Sequence, residues 1–392
     1  MKHIHTFNRI APEGLQLLNK EEFVLNEGYD PDAIILRSKD LHTMAFNDSL
    51  LAIARAGAGV NNIPVEACSE NGIVVFNTPG ANANAVKELV LAALVMSARP
   101  IYQGLRWVEH MEGDNLPEIV EANKKQFAGT ELAGKRLAVI GLGAIGSLVA
   151  NDAYHLNMDV IGYDPYVSVE TAWNMSSRVK KANSLQEVLR DADYVTVHVP
   201  VNDHTEGLVN ADFLHQMKPG AVLLNFSRDG IIVRDDILTA LSNGTLDKYV
   251  ADFADEAFVR HPKALIFPHL GASTDEAEVN CAIMAVKTLK YFLETGNILR
   301  SVNFPTIDIP QQSPLRITIV NRNVPNMVGQ ISAILAKHFV NIDNILNRSR
   351  GNYAYTIIDI PLLEDSLLQE ILEDMSKIEG VLKARVINRR EM

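Results

Sequence analysis

The chain of 392 residues has only two cysteines, Cys68 and Cys281. So few thiols exclude a disulfide framework and a CxxC metal site, and they read as reduced groups of a cytoplasmic protein; no metal is expected. Basic charge is also scarce: 36 Lys and Arg stand against 48 Asp and Glu, a net charge of −12 at pH 7. That balance argues against a nucleic-acid or anionic-membrane partner, whose footprint is a basic field. It also requires any anionic substrate to be met by a local cluster of cations. No apolar run approaches the roughly 20 residues of a membrane span, and the opening MKHIHTFNRI lacks the apolar stretch of a secretory signal. The expectation is a soluble, cytoplasmic protein. At about 150 residues per domain, the length predicts two to three domains, each with its own core.

What is present is alternation. RLAVI (136–140), MDVIGYD (158–164), YVTVHV (194–199), AVLLNF (221–226), YVADF (249–253) and ALIFPHL (264–270) are short apolar runs separated by helix-length segments. Such runs are too continuous for half-exposed antiparallel strands and predict βαβ units around a parallel sheet. A shorter version, AIILRS (33–38), LLAIARAG (50–57) and GIVVFNTP (72–79), predicts a second α/β lobe before it. After a Pro-rich stretch from Arg300 to Pro314, the order β, α, β, β, α, β over about 80 residues predicts a ferredoxin-like third domain. The fold class is therefore α/β, with two Rossmann-like lobes of parallel sheet and a C-terminal βαββαβ domain.

The chemistry gathers at strand ends. Gly141, Gly143 and Gly146 form a GxGxxG between a strand and a helix, and Asp164 ends the next strand eighteen residues later. The glycines let backbone amides approach a pyrophosphate at a helix N-terminus, while the acid accepts from a ribose and repels a 2′-phosphate, so the cofactor expected is NAD. Arg228, the acids Asp252, Asp255 and Glu256, and His269 follow three later strands. An arginine to clamp a carboxylate, a histidine to move a proton and an acid to orient it make a dehydrogenase site for a 2-hydroxy acid. Alone, His269 reads as a strand-end histidine and Glu256 as a solvated loop acid; their position beyond a cofactor loop reverses that preference. For an anionic substrate the candidate cations are Arg37, Lys39, Arg55 and Lys87.

These residues, with ILRS (35–38), ARAGAGVNNI (54–63), NTPGANA (77–83), GYDP (162–165), VHVP (197–200), KPGAVLLNFSR (218–228), PHLGAS (268–273) and VNFP (302–305), resemble the D-isomer-specific 2-hydroxyacid dehydrogenases, in the form that carries a C-terminal ACT domain. The resemblance implies oxidation of D-3-phosphoglycerate at the entry to serine synthesis, with His269 moving the proton, Glu256 as its partner and Arg228 as carboxylate clamp. It implies that Ala58, Ala144, Ile145, Val199, Pro200, Phe226, Ser227, Arg228, Asp252, His269, Gly271 and Ala272 line the NAD site with Gly141, Gly143, Gly146 and Asp164. Arg37, Ser38, Arg55 and Asn82 would hold the substrate, a serine effector would meet Asn321, Asn323 and Asn341, and a homodimer or homotetramer would form near Leu89–Met96. The implied parts are a substrate lobe (1–96 and 275–305), an NAD-binding domain (97–274), a linker (306–312) and an ACT domain (313–392).

Three departures stand out. The acidic run Asp252-Phe-Ala-Asp-Glu256-Ala257 is one residue shorter than usual, so Asp255 competes with Glu256 as histidine partner, and Glu256 is favoured for its longer side chain. Asp229 stands where a glycine commonly follows the arginine, and Asn326 replaces the glycine usual at the start of the first ACT helix. The rival readings are a dehydrogenase for another acid such as 2-hydroxyglutarate, since Arg37 and Arg55 suit a second carboxylate, and a catalytically silent NAD sensor.

Overall fold

The structure, a computed structural model, describes residues 1–28 and 30–388. It divides into two compact units, one formed by Met1–Ala81 with the chain from Glu278 onward, the other by Asn82–Ala277. In the first unit β1 (Lys2–Phe7), β2 (Phe23–Leu25), β3 (Ala33–Leu36), β4 (Ala52–Arg55) and β5 (Val74–Phe76) form a parallel sheet in the order β2-β1-β3-β4-β5. β3 and β5 are fully buried, as their unbroken apolar runs predict. β1 and β2 fall outside the strands expected from sequence. KHIHTF alternates His and Thr with apolar residues, and the neighbours Phe23 and Ala33 are what make it a central strand.

The second unit holds β6 (Arg136–Ile140), β7 (Asp159–Tyr163), β8 (Lys180–Lys181), β9 (Tyr194–Val197), β10 (Ala221–Asn225), β11 (Leu246–Ala251) and β12 (Ala264–Ile266). Their order is β12-β11-β10-β9-β6-β7-β8, every neighbouring pair parallel. The direction of winding reverses between β6 and β9, and that reversal opens the crevice in which doubly wound sheets bind ligands.

Two boundaries differ from the sequence reading. The helix Ala83–Ala98 belongs to the second unit, because Val90, Ala93 and Leu94 pack into a core with Val149 and Ala150 of the helix Ala144–His155. The segment 306–312 is packed rather than free. Ile307 is fully buried and bridges Ile298, Tyr291 donates to Asp308 at 2.6 Å, and Asn297 donates to the Ile309 carbonyl at 3.0 Å. Prolines remove donors there, and side chains of neighbouring elements supply the missing bonds.

β13 (Leu315–Arg322), β14 (Asn344–Arg350), β15 (Tyr353–Ile360) and β16 (Val381–Asn388) form an antiparallel sheet, order β14-β15-β13-β16, with the helices Met327–Lys337 and Asp365–Ser376 on one face. This is the ferredoxin-like order expected, and residues 389–392 of the expected third part lie outside the described residues. The other face of the sheet shares the first unit's core: Tyr353, Tyr355 and Ile357 lie in one cluster with Phe76, Phe292 and Phe304. Each such side chain contributes roughly 1.5–3 kcal/mol on burial, so the C-terminal sheet and the first parallel sheet form one folding body.

Candidate active site

At the crevice of the second unit, Gly141 leaves β6 with φ of +87°, a left-handed conformation that favours glycine. A Cβ there would come within 2.7 Å of the His198 carbonyl oxygen, and one at Gly146 within 1.9 Å of the Gly141 oxygen. Around Gly143 a Cβ would meet nothing, and Gly143 is the N-cap of the helix Ala144–His155, whose first amides receive no side-chain cap among the described residues. Tight walls, an open face and free amide donors fit a dinucleotide pyrophosphate. Asp164 follows β7 and accepts from the Leu142 amide through Oδ2 and from the Tyr166 amide through Oδ1, both at 2.8 Å. A carboxylate has about four acceptor positions, so these bonds fix its orientation and leave room for a ribose.

Arg228 sits on a turn built by a fully buried residue. Asn225 accepts from the Ser227 amide at 3.1 Å and donates to the Arg228 carbonyl at 2.8 Å, while Ser227 donates to the Val197 carbonyl at 2.6 Å, tying the ends of β9 and β10 together. Phe226 packs on Phe267 at 5.8 Å. The Arg228 side chain is exposed, donates to the Ser227 carbonyl and makes no ion pair among the described residues. Asp229 opens the short turn behind it.

His269 has φ of +58°, strained for a side-chain-bearing residue. Asp252 holds it there. Only 3% exposed, its carboxylate accepts from the Leu270 amide and the Gly271 amide, each at 2.7 Å. A Cβ at Gly271 would lie 2.9 Å from Asp252 Oδ2, so a larger residue there would push the carboxylate out of its bonds to the loop. The Asp252 side chain, expected to line the cofactor site, is thus buried and turned toward the histidine loop. The exposed His269 ring stands edge-on to Phe253, centroids 5.3 Å apart. No hydrogen bond joins His269 to Glu256 or Asp255 among the described residues. Asp255 is already engaged, capping the helix Glu256–Val259 through the Ala257 amide at 2.8 Å and lying 3.5 Å from Arg234. Glu256 is exposed with no polar partner among the described residues.

In the first unit Arg37 follows β3 and pairs with Glu278, while Arg55 closes β4 and donates to the Arg37 carbonyl at 2.9 Å and to the Gly59 carbonyl at 2.5 Å. The amides of Ser38 and Lys39 both donate to Asn8, and Asn77 donates to the Ala58 carbonyl at 2.6 Å. Asn82 precedes the helix Ala83–Ala98 and makes no side-chain cap. Lys87 is bound to Asp152 at 2.8 Å and joins two helices, with 13% of its side chain exposed.

Residues 91–271 match the family model described as the D-isomer specific 2-hydroxyacid dehydrogenase, NAD binding domain. This segment carries the NAD-binding domain of the D-isomer-specific 2-hydroxyacid dehydrogenases. A D-3-phosphoglycerate dehydrogenase of Saccharomyces cerevisiae is 28% identical over 94% of this chain and 81% of its own length. One from Synechocystis is 34% identical over 90% of this chain, which spans 63% of that relative. The NAD+-bound 3-phosphoglycerate dehydrogenase structure of Entamoeba histolytica, 23% identical, shares the fold with a TM-score of 0.58 over 77% of this chain and 98% of its own.

Asn225, Phe253 and His198 shape the second unit's strand ends, Glu278 lies beside Arg37 in the first unit, and none of them was singled out from sequence. Each works through neighbours that only folding supplies. Nε2 of His198 lies 2.9 Å from the Thr196 hydroxyl, Nδ1 is buried without a partner, and burial pushes the imidazole down to about 4. In the C-terminal sheet a cavity of about 170 Å³ is lined by Asn321, Asn323, Asn326 and Asn347 among others. Asn326 takes the left-handed conformation, φ +61°, which asparagine adopts more readily than most side-chain-bearing residues. Asn341, expected with Asn321 and Asn323, is not among the lining residues. It lies exposed in the loop before β14, with its amide 3.4 Å from Asp343.

Proposed function

We propose that the enzyme oxidises D-3-phosphoglycerate to 3-phosphohydroxypyruvate with NAD, the first step of serine synthesis. Bound NAD would supply the acceptor for the C2 hydride. His269 takes the C2 hydroxyl proton, Glu256 orients the imidazole, and Arg228 binds the carboxylate and polarises the developing carbonyl. Asp164 accepts from the ribose and disfavours a 2′-phosphate. Arg37, Ser38, Arg55 and Asn82 bind the phosphate end. The observation that carries this reading is the loop bearing His269, pinned through both oxygens of buried Asp252 at the sheet end that presents the glycine loop and Arg228, which makes no ion pair among the described residues. NADH oxidation assayed in parallel with 3-phosphohydroxypyruvate, 2-oxoglutarate and glyoxylate tests it. Preference for 2-oxoglutarate would transfer the reading to a hydroxyglutarate dehydrogenase, and inactivity with all three to a sensor.

Three finer readings accompany it. The C-terminal sheet and its two helices form an ACT domain that takes serine in the asparagine-lined cavity, supported by the buried Oδ1 of Asn321, which has no partner among the described residues. Serine should inhibit the full chain and lose its effect in Asn321→Ala; no response up to millimolar serine would overturn this. The enzyme is a homo-oligomer. The apolar face of the helix Ala83–Ala98 is buried in its own unit, so the support comes from the helices Ile101–Glu109 and Leu116–Asn123, which bury no residue and expose Tyr102, Leu105 and Val108. Leu105→Glu should lower the mass measured by light scattering. The compartment is the cytoplasm, in keeping with two free, buried cysteines.

A further inference from the structure

Leu36 and Arg55 are partners in the β3–β4 ladder, so Arg37 and Arg55 leave the same edge of the first unit's sheet. Arg55 lends its Nε and Nη1 to backbone carbonyls. Arg37 keeps 40% of its side chain exposed, yet its Nη1 forms an ion pair with Oε1 of Glu278, itself 42% exposed. Glu278 lies in the first turn of the helix Asp275–Thr295, where the helix dipole favours a carboxylate. One turn further, Cys281 is buried, and that burial raises its thiol while Arg37 and Arg55 lower it and Glu278 raises it. The acid, both arginines and the thiol are therefore one electrostatic cluster.

A phosphate monoester carries a charge of about −1.5 to −2 at pH 7. Arriving at Arg37, it meets a carboxylate already on the same guanidinium, and the two anions repel. An exposed ion pair is weak enough to exchange, but the exchange lowers the affinity for any substrate with an anionic tail and leaves one with a neutral tail untouched. We infer that Glu278 is a specificity-determining residue that competes with the substrate's distal anion for Arg37. This rests on the reading of Arg37 as a substrate-binding residue.

The test is Glu278→Gln in the full chain, a near-isosteric change whose folding is checked by thermal melting. KM for D-3-phosphoglycerate should fall about tenfold, the scale of one charge-assisted hydrogen bond. kcat should stay within about twofold and KM for unphosphorylated D-glycerate should not move, because only the distal contact changes. The gap between variant and wild type should narrow with added salt, and Arg37→Ala combined with Glu278→Gln should abolish the gain. An unchanged or raised KM for D-3-phosphoglycerate in Glu278→Gln, where Arg37→Ala alone weakens binding, overturns the inference. If the wild type does not turn over D-3-phosphoglycerate, the substrate reading fails, and competition is read by calorimetric titration of inorganic phosphate. Tighter phosphate binding by Glu278→Gln supports it; equal affinities, or no binding to either protein, overturn it.

Discussion

Arg316 and Asp359 form a bidentate ion pair, Nε to Oδ1 at 2.6 Å and Nη2 to Oδ2 at 3.0 Å, with neither side chain exposed at all. The remaining nitrogen, Nη1, donates to the Thr295 and Ile309 carbonyls and to Asn297 Oδ1. The pair therefore fastens the C-terminal sheet to the end of the helix Asp275–Thr295. Removing one partner strands a buried charge, so Arg316→Met should lower unfolding stability by about 3–5 kcal/mol in denaturant titration. Arg316→Met with Asp359→Leu should recover part of that loss. A chain cut after Pro305 should aggregate rather than yield an unregulated enzyme, because it bares the cluster around Phe76 and Phe292.

The Asp252 bonds and the left-handed φ of His269 predict two different kinetic losses. His269→Ala should reduce kcat by at least about 10², the usual worth of a general acid–base group, with NAD affinity retained. Asp252→Ala should keep the imidazole but loosen the loop that carries it, lowering kcat and raising amide exchange at Leu270 and Gly271. Unaltered exchange there would remove Asp252 from its positioning role.

Asp255 and Glu256 should separate cleanly. Asp255→Ala loses a helix cap worth about 1 kcal/mol and should shift the unfolding midpoint more than turnover. Glu256→Gln should leave stability within about 0.5 kcal/mol, as exposed substitutions do, and lower kcat. The reverse pattern would make Asp255 the histidine partner.

His198 predicts an acid-sensitive fold. Burial lowers its imidazole from 6.5 to about 4, so the unfolded chain binds a proton between these values that the folded chain refuses. The stabilisation is fully present above pH 6.5, falls as pH drops from 6.5 towards 4, and amounts to up to about 3 kcal/mol at 1.36 kcal/mol per unit. Unfolding measured at pH 7 and pH 4.5 should show this loss in the wild type and a smaller one in His198→Gln.

The sequence by itself determined the parts whose signal is local. The apolar runs of β6, β9 and β10 are buried on both faces wherever they lie, and they read directly as parallel strands. The β and α order of 315–388 and the glycine loop with Asp164 were legible for the same reason, since their spacing carries the geometry. Tertiary structure decided whatever depends on a distant partner. β1 is a strand because β2 and β3 flank it, and 306–312 is packed because Tyr291 and Asn297 reach it. The roles of the acids were likewise undecided by sequence: Asp252, Asp255 and Glu256 lie within five positions, and only folding turns one toward two amides, one onto a helix end and one into solvent. Neither the Arg37 and Glu278 pair nor the Arg316 and Asp359 pair has a sequence signal, because charges 241 and 43 residues apart meet only once the sheets that carry them have formed.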